Sequence, residues 1–295
     1  MKRKWERDLG LQGRMLFTMF LLAAVYLFFL AFLSYYGTSQ IFIILFIGLF
    51  MAAQYFYSDK MVLWTTGAQI VSESEAPPQL HGMITRLCAI ADLPKPQVAI
   101  VRTQVPNAFA TGRNQNKAVV AVTTGLMDKL SPAELEAVLA HELSHVKNRD
   151  MAVLTIASFL SSVAFYIVRY SLYFGNMGGG RRKEGGGIML VWLVSIVVWI
   201  VSFLLIRALS RYREFSADRG AAVITGQPAN LASALMKISG VMDRVPGDDL
   251  RKVEGMNAFF IIPAISGSSI MDIFSTHPSV EKRIAKLEKM QQEMS

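Results

Sequence analysis

Long uncharged apolar stretches alternate with charged segments along this chain. Residues 15–36 and 41–57 form one close pair of stretches, and residues 151–168 and 188–206 form a second pair. A helix needs about 20 apolar residues to cross the hydrocarbon core of a bilayer. The first pair therefore predicts a two-span transmembrane hairpin. The second pair predicts two further apolar helices that also span the membrane.

Two alternatives remain open for these stretches. The first stretch could be a signal peptide, although it is longer than the usual apolar region of one and no Ala-x-Ala cleavage site follows it. The later pair could instead pack against the polar part of the protein or enter the lipid only partway. A glycine-rich basic linker at residues 178–187 separates the members of that pair.

The composition supports membrane insertion over a soluble fold. Hydrophobic residues make up 53% of the 295 positions and charged residues only 18%, whereas about 25% of a typical soluble domain is charged. The net charge is +8, and the basic tail at residues 1–14 is expected to stay in the cytosol by the positive-inside rule. No nucleic-acid-binding motif accompanies the basic residues, so no nucleic-acid partner is expected. The single cysteine, Cys88, excludes an internal disulfide and a multi-cysteine zinc site.

The polar segments 58–150 and 207–295 are predicted to form one domain in two parts. Residues 97–101 and 118–122 are rich in β-branched residues and predict a small sheet, whereas the rest of these segments has helical character. Residues 107–112 are predicted to form a loop beside the sheet, which either offers backbone groups to an extended peptide or merely connects the strands. The expected fold class is an α-helical integral membrane protein with a mainly helical α+β domain.

A metal-binding motif lies on a helix whose start is well marked. Residues 131–134 predict a serine N-cap, a proline in the first turn and a capping box. His141 and His145 follow with a spacing of four residues, which places both imidazoles on one helix face. This HExxH pattern can chelate one Zn²⁺, and Glu142 then lies beside the metal, where it can take a proton from the attacking water.

A catalytic zinc ion usually has three protein ligands. Met151 occupies the position where the longer motif with a third histidine would place that ligand. Glu214 and Asp218 lie four residues apart on a predicted helix, so that one can bind the metal while the other orients a ligand histidine. His81 and His277 are alternative third ligands, and a solvated charged helix face is the alternative interpretation of the carboxylate pair.

The motifs occur in an order that resembles the HtpX family of bacterial membrane zinc metalloproteases, which are related to the CAAX prenyl endopeptidases. The matching stretches cover residues 107–112, 120–127, 134–150, 211–222 and 274–279. Two apolar spans before and two apolar stretches after the HExxH helix extend the resemblance over nearly the whole chain.

The resemblance implies a gluzincin-type zincin (HExxH) catalytic domain with one Zn²⁺ per chain. His141, His145 and Glu214 would bind the metal, and Glu142 would be the catalytic base. Asp218 would act at the site, either by orienting a ligand or by donating a proton.

His277 is a candidate for a further catalytic role. The tetrahedral oxyanion of peptide hydrolysis needs a hydrogen-bond donor, and His277 belongs to a turn before the last predicted helix. The alternative is a plain helix start in which Pro278 leads the helix.

The motifs and the resemblance predict a membrane-bound zinc endopeptidase that acts at the cytosolic face of the bacterial cell membrane. By resemblance it would degrade misfolded or damaged membrane proteins, and unfolded soluble ones, in quality control under stress. Its partners would be protein substrates and the lipid bilayer. An intramembrane site-2-type protease is one alternative, which the charged flanks of the HExxH helix disfavour. A non-catalytic membrane scaffold with a structural zinc is the other, and it would require a fourth protein ligand.

Overall fold

The computed structural model describes residues 9–35, 40–154, 157–158, 161, 164–165, 185–242 and 277–294. These residues divide into two compact units. A helical unit contains the described residues of Leu9–Phe56 and Val153–Leu209, and a mixed unit contains those of Tyr57–Ala152 and Ser210–Ser295. The basic tail before Leu9 and most of the glycine-rich linker lie outside the described residues.

The elements are numbered in chain order. The helices are α1 (Leu9–Tyr35), α2 (Gln40–Thr66), α3 (Pro78–Ala91), α4 (Thr124–Lys129), α5 (Pro132–Lys147), α6 (Gly185–Thr225), α7 (Pro228–Met242) and α8 (Val280–Met294). The strands are β1 (Gln69–Ile70), β2 (Gln97–Val101), β3 (Ala108–Thr111) and β4 (Val119–Thr123).

Within the described residues, two helices are long and apolar enough to cross a membrane: α1 and the part of α6 from Met189 to Thr225. Large apolar side chains are exposed along α1, among them Leu16, Phe17 and Phe20. Helices that are apolar on every side are typical of membrane spans. The first and last predicted spans fall on these two helices, and the second falls within α2. Half of the third, at residues 151–168, lies outside the described residues.

Apolar contacts and a hydrogen bond hold the helical unit together. Phe29 of α1 belongs to a buried cluster with Val198 of α6. The hydroxyl of Tyr26 donates a hydrogen bond to the carbonyl oxygen of Ala157. Because lipid offers no hydrogen-bond partner, such a polar group is stable in a membrane only when the protein satisfies it.

The mixed unit contains a four-stranded sheet in the order β1-β2-β4-β3. Strands β2 and β4 are parallel, whereas β1 and β3 run antiparallel to their neighbours. The predicted strand at residues 97–101 is confirmed, and the second predicted strand is shifted by one residue to Val119–Thr123.

The prediction of a loop at residues 107–112 is wrong for most of this segment. Residues 108–111 form the edge strand β3, which pairs with β4. Strand preference depends strongly on neighbouring strands and burial. The short segment Ala-Phe-Ala-Thr therefore gives little local signal, and its conformation is stabilised by pairing with β4.

Helix α5 begins as its sequence predicts. The Ser131 hydroxyl caps the N–H of Glu134, and the Glu134 carboxylate accepts the Ser131 N–H at 2.8 Å. Apolar residues of α5 such as Leu139 and Leu143 are fully buried in the main core, which also includes residues of α3 and α7. His141 on this helix is buried as well, so its polar atoms require partners inside the protein.

Two later elements reach the same buried region as α5. Helix α6 ends at Thr225, where Gly226 takes a left-handed backbone with φ 72°, a common way for a helix to end. The last part of α6 carries Glu214 and Asp218. Helix α8 follows His277 and carries Arg283.

Candidate metal centre

Two histidines and one carboxylate converge in the mixed unit. His141 Nε2 and His145 Nε2 lie 3.1 Å apart. The carboxylate oxygens of Glu214 lie 3.6 Å from His141 Nε2 and 3.4 Å from His145 Nε2. Tetrahedral zinc with bonds of about 2.0–2.1 Å places its ligand atoms roughly 3.3 Å apart. The three donors therefore fit a zinc ion with little rearrangement.

The burial of Glu214 also fits a metal ligand. Its Oε2 atom is buried and lies near His277 and Arg283, but it makes no hydrogen bond of good geometry to the described residues, as buried carboxylate oxygens normally do. Two imidazoles and one carboxylate are a donor set that catalytic zinc sites use. These three residues could therefore hold zinc.

Asp218 approaches the opposite side of the His141 ring. Its Oδ1 lies 3.0 Å from His141 Nδ1. Arg283 holds the same carboxylate at two points, from Nε to Oδ2 at 2.9 Å and from Nη2 to Oδ1 at 2.6 Å. Of the two carboxylates on α6, Glu214 thus faces the histidine pair, whereas Asp218 lies behind one histidine.

Asp150 has the corresponding position behind the other histidine. Its Oδ2 lies 2.5 Å from His145 Nδ1, and its Oδ1 lies 2.8 Å from Arg213 Nη2. A carboxylate on the outer nitrogen fixes the tautomer and orientation of a ligand histidine. A carboxylate oxygen therefore lies within 3.0 Å of the outer nitrogen of each histidine.

Glu142 is buried beside the two histidines, with 4% of its surface exposed. Burial raises the pKa of its carboxyl group above the ordinary value, and the charge of Glu214 adds to the rise, although His141 and His145 oppose it. The Glu142 carboxylate also accepts a hydrogen bond from the backbone of Ala110 in β3. A carboxylate with a raised pKa is suited to accept and return a proton near neutral pH.

Glu214 shows the opposite shift. Burial by itself would raise the pKa of its carboxyl group, but His277, His141 and His145 hold it well below the usual range. His277 Nδ1 lies 3.2 Å from Glu214 Oε2, and Arg283 Nη1 lies 3.4 Å from the same oxygen. Glu214 is therefore ionised at neutral pH, as a metal ligand must be.

The predicted residues fall into two groups in the structure. His141, Glu142, His145, Glu214, Asp218 and His277 come together in one buried region. His81 lies on α3 and is not part of the group of donors that converges among the described residues.

Three residues of this region were missed by sequence reasoning. Asp150 lies inside a stretch that carries the family resemblance, and Arg213 directly precedes Glu214, so both were visible without an assigned role. Arg283 is one of several basic residues on an amphipathic helix, and nothing in its local sequence distinguishes it.

Comparison with known proteins gives a consistent picture. Residues 74–291 match the model of "Peptidase family M48". The chain is 85% identical to "Protease HtpX homolog 2" of Methanosarcina acetivorans over 100% of both chains. It is 62% identical to "Protease HtpX homolog" of Moorella thermoacetica, over 100% of this chain and 99% of that protein.

A solved structure with a similar fold is the crystal structure of S. mikatae Ste24p. The TM-score is 0.55 at 17% sequence identity, and the similarity covers 95% of this chain and 67% of that one. At this identity the similarity concerns the fold.

Proposed function

The chain belongs to peptidase family M48, and on this premise we propose that it is an endopeptidase that cleaves membrane proteins with one zinc ion per chain. The predicted relation to HtpX-type proteases is confirmed by the relatives, and the chain is a metallopeptidase. The observation that carries the proposal is the convergence of His141, His145 and Glu214 beside the buried Glu142.

His141, His145 and Glu214 would hold the zinc ion. Zinc, when bound, supplies a Lewis acid that polarises the carbonyl group of the scissile peptide bond. Asp218 and Asp150 each lie at the outer nitrogen of one histidine, and they would keep the inner nitrogens directed at the metal.

Glu142 would be the general base. Its carboxylate would take a proton from the attacking water and later transfer that proton to the nitrogen of the leaving amine. Such proton transfer contributes about 10²–10⁴-fold to the rate. The raised pKa of Glu142 supports this role.

His277 would donate a hydrogen bond to the oxyanion that forms when the carbonyl group is attacked. It is buried, with 6% of its surface exposed, and its Nδ1 lies 3.2 Å from Oε2 of the proposed zinc ligand Glu214. A fixed donor at the developing charge is usually a large contribution to catalysis.

The edge strand β3 would bind the substrate backbone. The N–H of Thr123 donates to the carbonyl of Asn107 at 2.9 Å. Because hydrogen-bonded positions alternate along an antiparallel pair, Ala108 and Ala110 direct their backbone groups away from β4. The Ala110 contact with Glu142 brings this free edge next to the base. An extended peptide could therefore add to the sheet as a further strand at the cleavage site.

The membrane arrangement is also part of the proposal. Residues 1–14 would be a cytosolic tail, residues 15–57 a transmembrane hairpin, and residues 151–206 two further spans. Residues 58–150 and 207–295 would form the catalytic domain on the cytosolic side of the cell membrane. The apolar character of α1 and α6 and the basic tail support this arrangement.

Misfolded or damaged membrane proteins, and unfolded soluble ones, would be the substrates. The test is hydrolysis of unfolded casein, and of a destabilised membrane protein, by the detergent-solubilised chain. We expect cleavage that stops when a chelator removes the metal and returns when zinc is added. Bound zinc without hydrolysis of either substrate would contradict the proposal and favour a membrane scaffold with structural zinc.

A further inference from the structure

An ion pair between Arg213 and Asp150 joins the two segments that supply the metal-site residues. Arg213 directly precedes Glu214 on α6, and Asp150 follows the helix that carries His145. Arg213 Nη2 lies 2.8 Å from Asp150 Oδ1, and the two residues are only 2% and 5% exposed. Because residues 151–206 separate these segments in sequence, the ion pair is a direct link between them.

The two oxygens of Asp150 serve two different donors. Oδ2 lies 2.5 Å from His145 Nδ1, and Oδ1 accepts from Arg213. When Nδ1 of His145 carries the proton, its Nε2 keeps a free lone pair, which can bind the metal together with the other two donors. An amide at position 150 keeps an oxygen at only one of these two places, so in this geometry either His145 or Arg213 would face an NH₂ group, which is a donor.

The backbone after α5 directs Asp150 towards His145. The backbone N–H groups of Asn148 and Arg149 close a tight turn, and Arg149 has a left-handed backbone with φ 55°. A residue other than glycine keeps such a conformation only where the surrounding contacts determine it. The side chain of Asn148 also donates to Ser216 Oγ on α6 at 3.3 Å. The turn is therefore tied to α6 at two points.

We propose that Arg213 and Asp150 are positioning residues, which fix the ring of His145 and align Glu214 with it before a metal binds. This inference rests on the proposed zinc site. Loss of the Arg213 cation would leave the buried Asp150 carboxylate without its ion-pair partner, and loss of the Asp150 charge would leave a buried unpaired cation and release the ring of His145.

Arg213 makes this link through a single nitrogen. Its Nε and Nη1 are buried and form no hydrogen bond to the described residues. A lysine ammonium group could therefore replace the one donor that Asp150 requires, whereas methionine could fill the space but not donate. A comparison of Arg213→Lys with Arg213→Met therefore distinguishes the electrostatic role of Arg213 from its role in packing.

The experiment uses the full-length protein in detergent and measures metal binding as well as activity. Zinc affinity is obtained by competition with a chromogenic chelator, and the visible absorption spectrum of the Co²⁺-substituted protein reports the ligand geometry. We expect Arg213→Met and Asp150→Asn to weaken zinc binding by about 10–100-fold and to change the Co²⁺ spectrum. Arg213→Lys should remain close to wild type. Arg211→Met, which removes another arginine of α6, is the matched control and should bind zinc normally.

A coupling test uses the double variant. Because Arg213 and Asp150 are in contact, the loss of affinity in Asp150→Asn/Arg213→Met should be smaller than the product of the two single losses. If Arg213→Met does not fold, Arg213→Gln replaces it in both tests. Glutamine keeps a donor but removes the charge, so Asp150 still loses its ion-pair partner and zinc binding should still weaken.

The outcomes separate this inference from the proposed function. A wild-type protein that binds no metal would contradict the zinc site itself. If the wild type binds zinc and the variants have the same zinc affinity and the same Co²⁺ spectrum, the positioning role is wrong and the zinc site stands. Lower thermal stability of the apo variants with unaltered metal binding would likewise show that the ion pair is merely structural.

Discussion

Arg283 of the last helix holds Asp218 at two points, with Nε 2.9 Å from Oδ2 and Nη2 2.6 Å from Oδ1. The same Oδ1 lies 3.0 Å from Nδ1 of His141. All three side chains are buried. The guanidinium group of a residue far along the chain therefore holds the carboxylate that lies at the outer nitrogen of one of the two motif histidines.

Removal of Arg283 should destabilise the protein. Arg283→Met leaves the buried Asp218 carboxylate without its cation, which typically costs roughly 3–5 kcal/mol. Arg283→Lys should be intermediate, because an ammonium group keeps the charge but not the two-point geometry. Thermal unfolding of the metal-free proteins in detergent measures the effect. Lys289→Met, which breaks an exposed pair on the same helix, should change stability little, and an equal loss in that control would contradict the prediction.

Replacement of Glu142 should separate chemistry from metal binding. Glu142→Gln keeps both histidines, so zinc content should remain near one ion per chain. Loss of the base should lower the rate of peptide hydrolysis by at least about 10²-fold. Metal analysis and a casein assay on the same preparation measure both quantities. Glu136→Gln is the control, because Glu136 lies on the same helix in a partly exposed pair with Arg86. Hydrolysis at the wild-type rate by Glu142→Gln would exclude Glu142 as the base.

The two carboxylates of α6 should differ in their effect on the metal. Glu214→Ala removes a proposed ligand and should abolish zinc binding and activity. Asp218→Asn should keep the metal but weaken its binding by about 10–100-fold, because Asp218 lies at the outer nitrogen of His141. Metal analysis of the purified variants distinguishes the two. If Glu214→Ala kept its zinc and His277→Ala lost it, the prediction would be wrong and His277 would be the third ligand.

Acid stability should depend on Glu134 of the capping box. Burial by itself would raise its pKa, but hydrogen bonds from Lys237, Ser233 and Ser131 lower it to about 2. With an ordinary pKa near 4.5, the group stabilises the fold fully above about pH 4.5, and this contribution is lost as the pH falls towards 2. A shift of this size corresponds to at most roughly 3 kcal/mol, reduced by solvent screening at the half-exposed Lys237.

The test compares wild type with Glu134→Gln by thermal unfolding across this pH range. The wild type should be more stable at pH 7, and the difference should shrink as the pH is lowered below 4.5. Glu136→Gln again serves as the control, because its carboxylate pairs only at the surface. A difference between wild type and Glu134→Gln that does not depend on pH would contradict the prediction.

The metal site also restricts the topology. His141 and His145 precede residues 151–206, and Glu214 follows them. One ion cannot be bound from opposite sides of a hydrocarbon core about 30 Å thick. With the proposed zinc site, we therefore expect an even number of membrane crossings between Asp150 and Arg207, and both parts of the proposed catalytic domain on the same side.

Labelling of single cysteines in intact cells with a membrane-impermeant maleimide tests this, with Cys88 replaced by alanine. A cysteine at position 39 should be labelled and one at position 295 should not. Labelling at position 179 would indicate two crossings in this region, and protection there would indicate none. If position 295 were labelled while the N-terminus lay inside the cell, the number of crossings would be odd. That result would contradict Glu214 as a zinc ligand.

Features that depend on local patterns could be predicted from the amino-acid sequence. The capping box at Ser131 and the spacing of His141 and His145 on one helix face follow from helix geometry. Uncharged runs of sufficient length predict the apolar helices α1 and α6. The order of the motifs pointed to a metalloprotease family, and this relation is confirmed by the family match.

Features that join distant parts of the chain could be seen only in the folded protein. Strand β3 is stabilised by pairing with β4, which its four residues do not encode locally. The spacing of Glu214 and Asp218 allowed either residue to face the metal, and the folded chain places Glu214 beside the histidine pair. Arg213 and Arg283 acquire their partners only in the folded protein, because each pairs with a carboxylate more than 60 residues away in sequence.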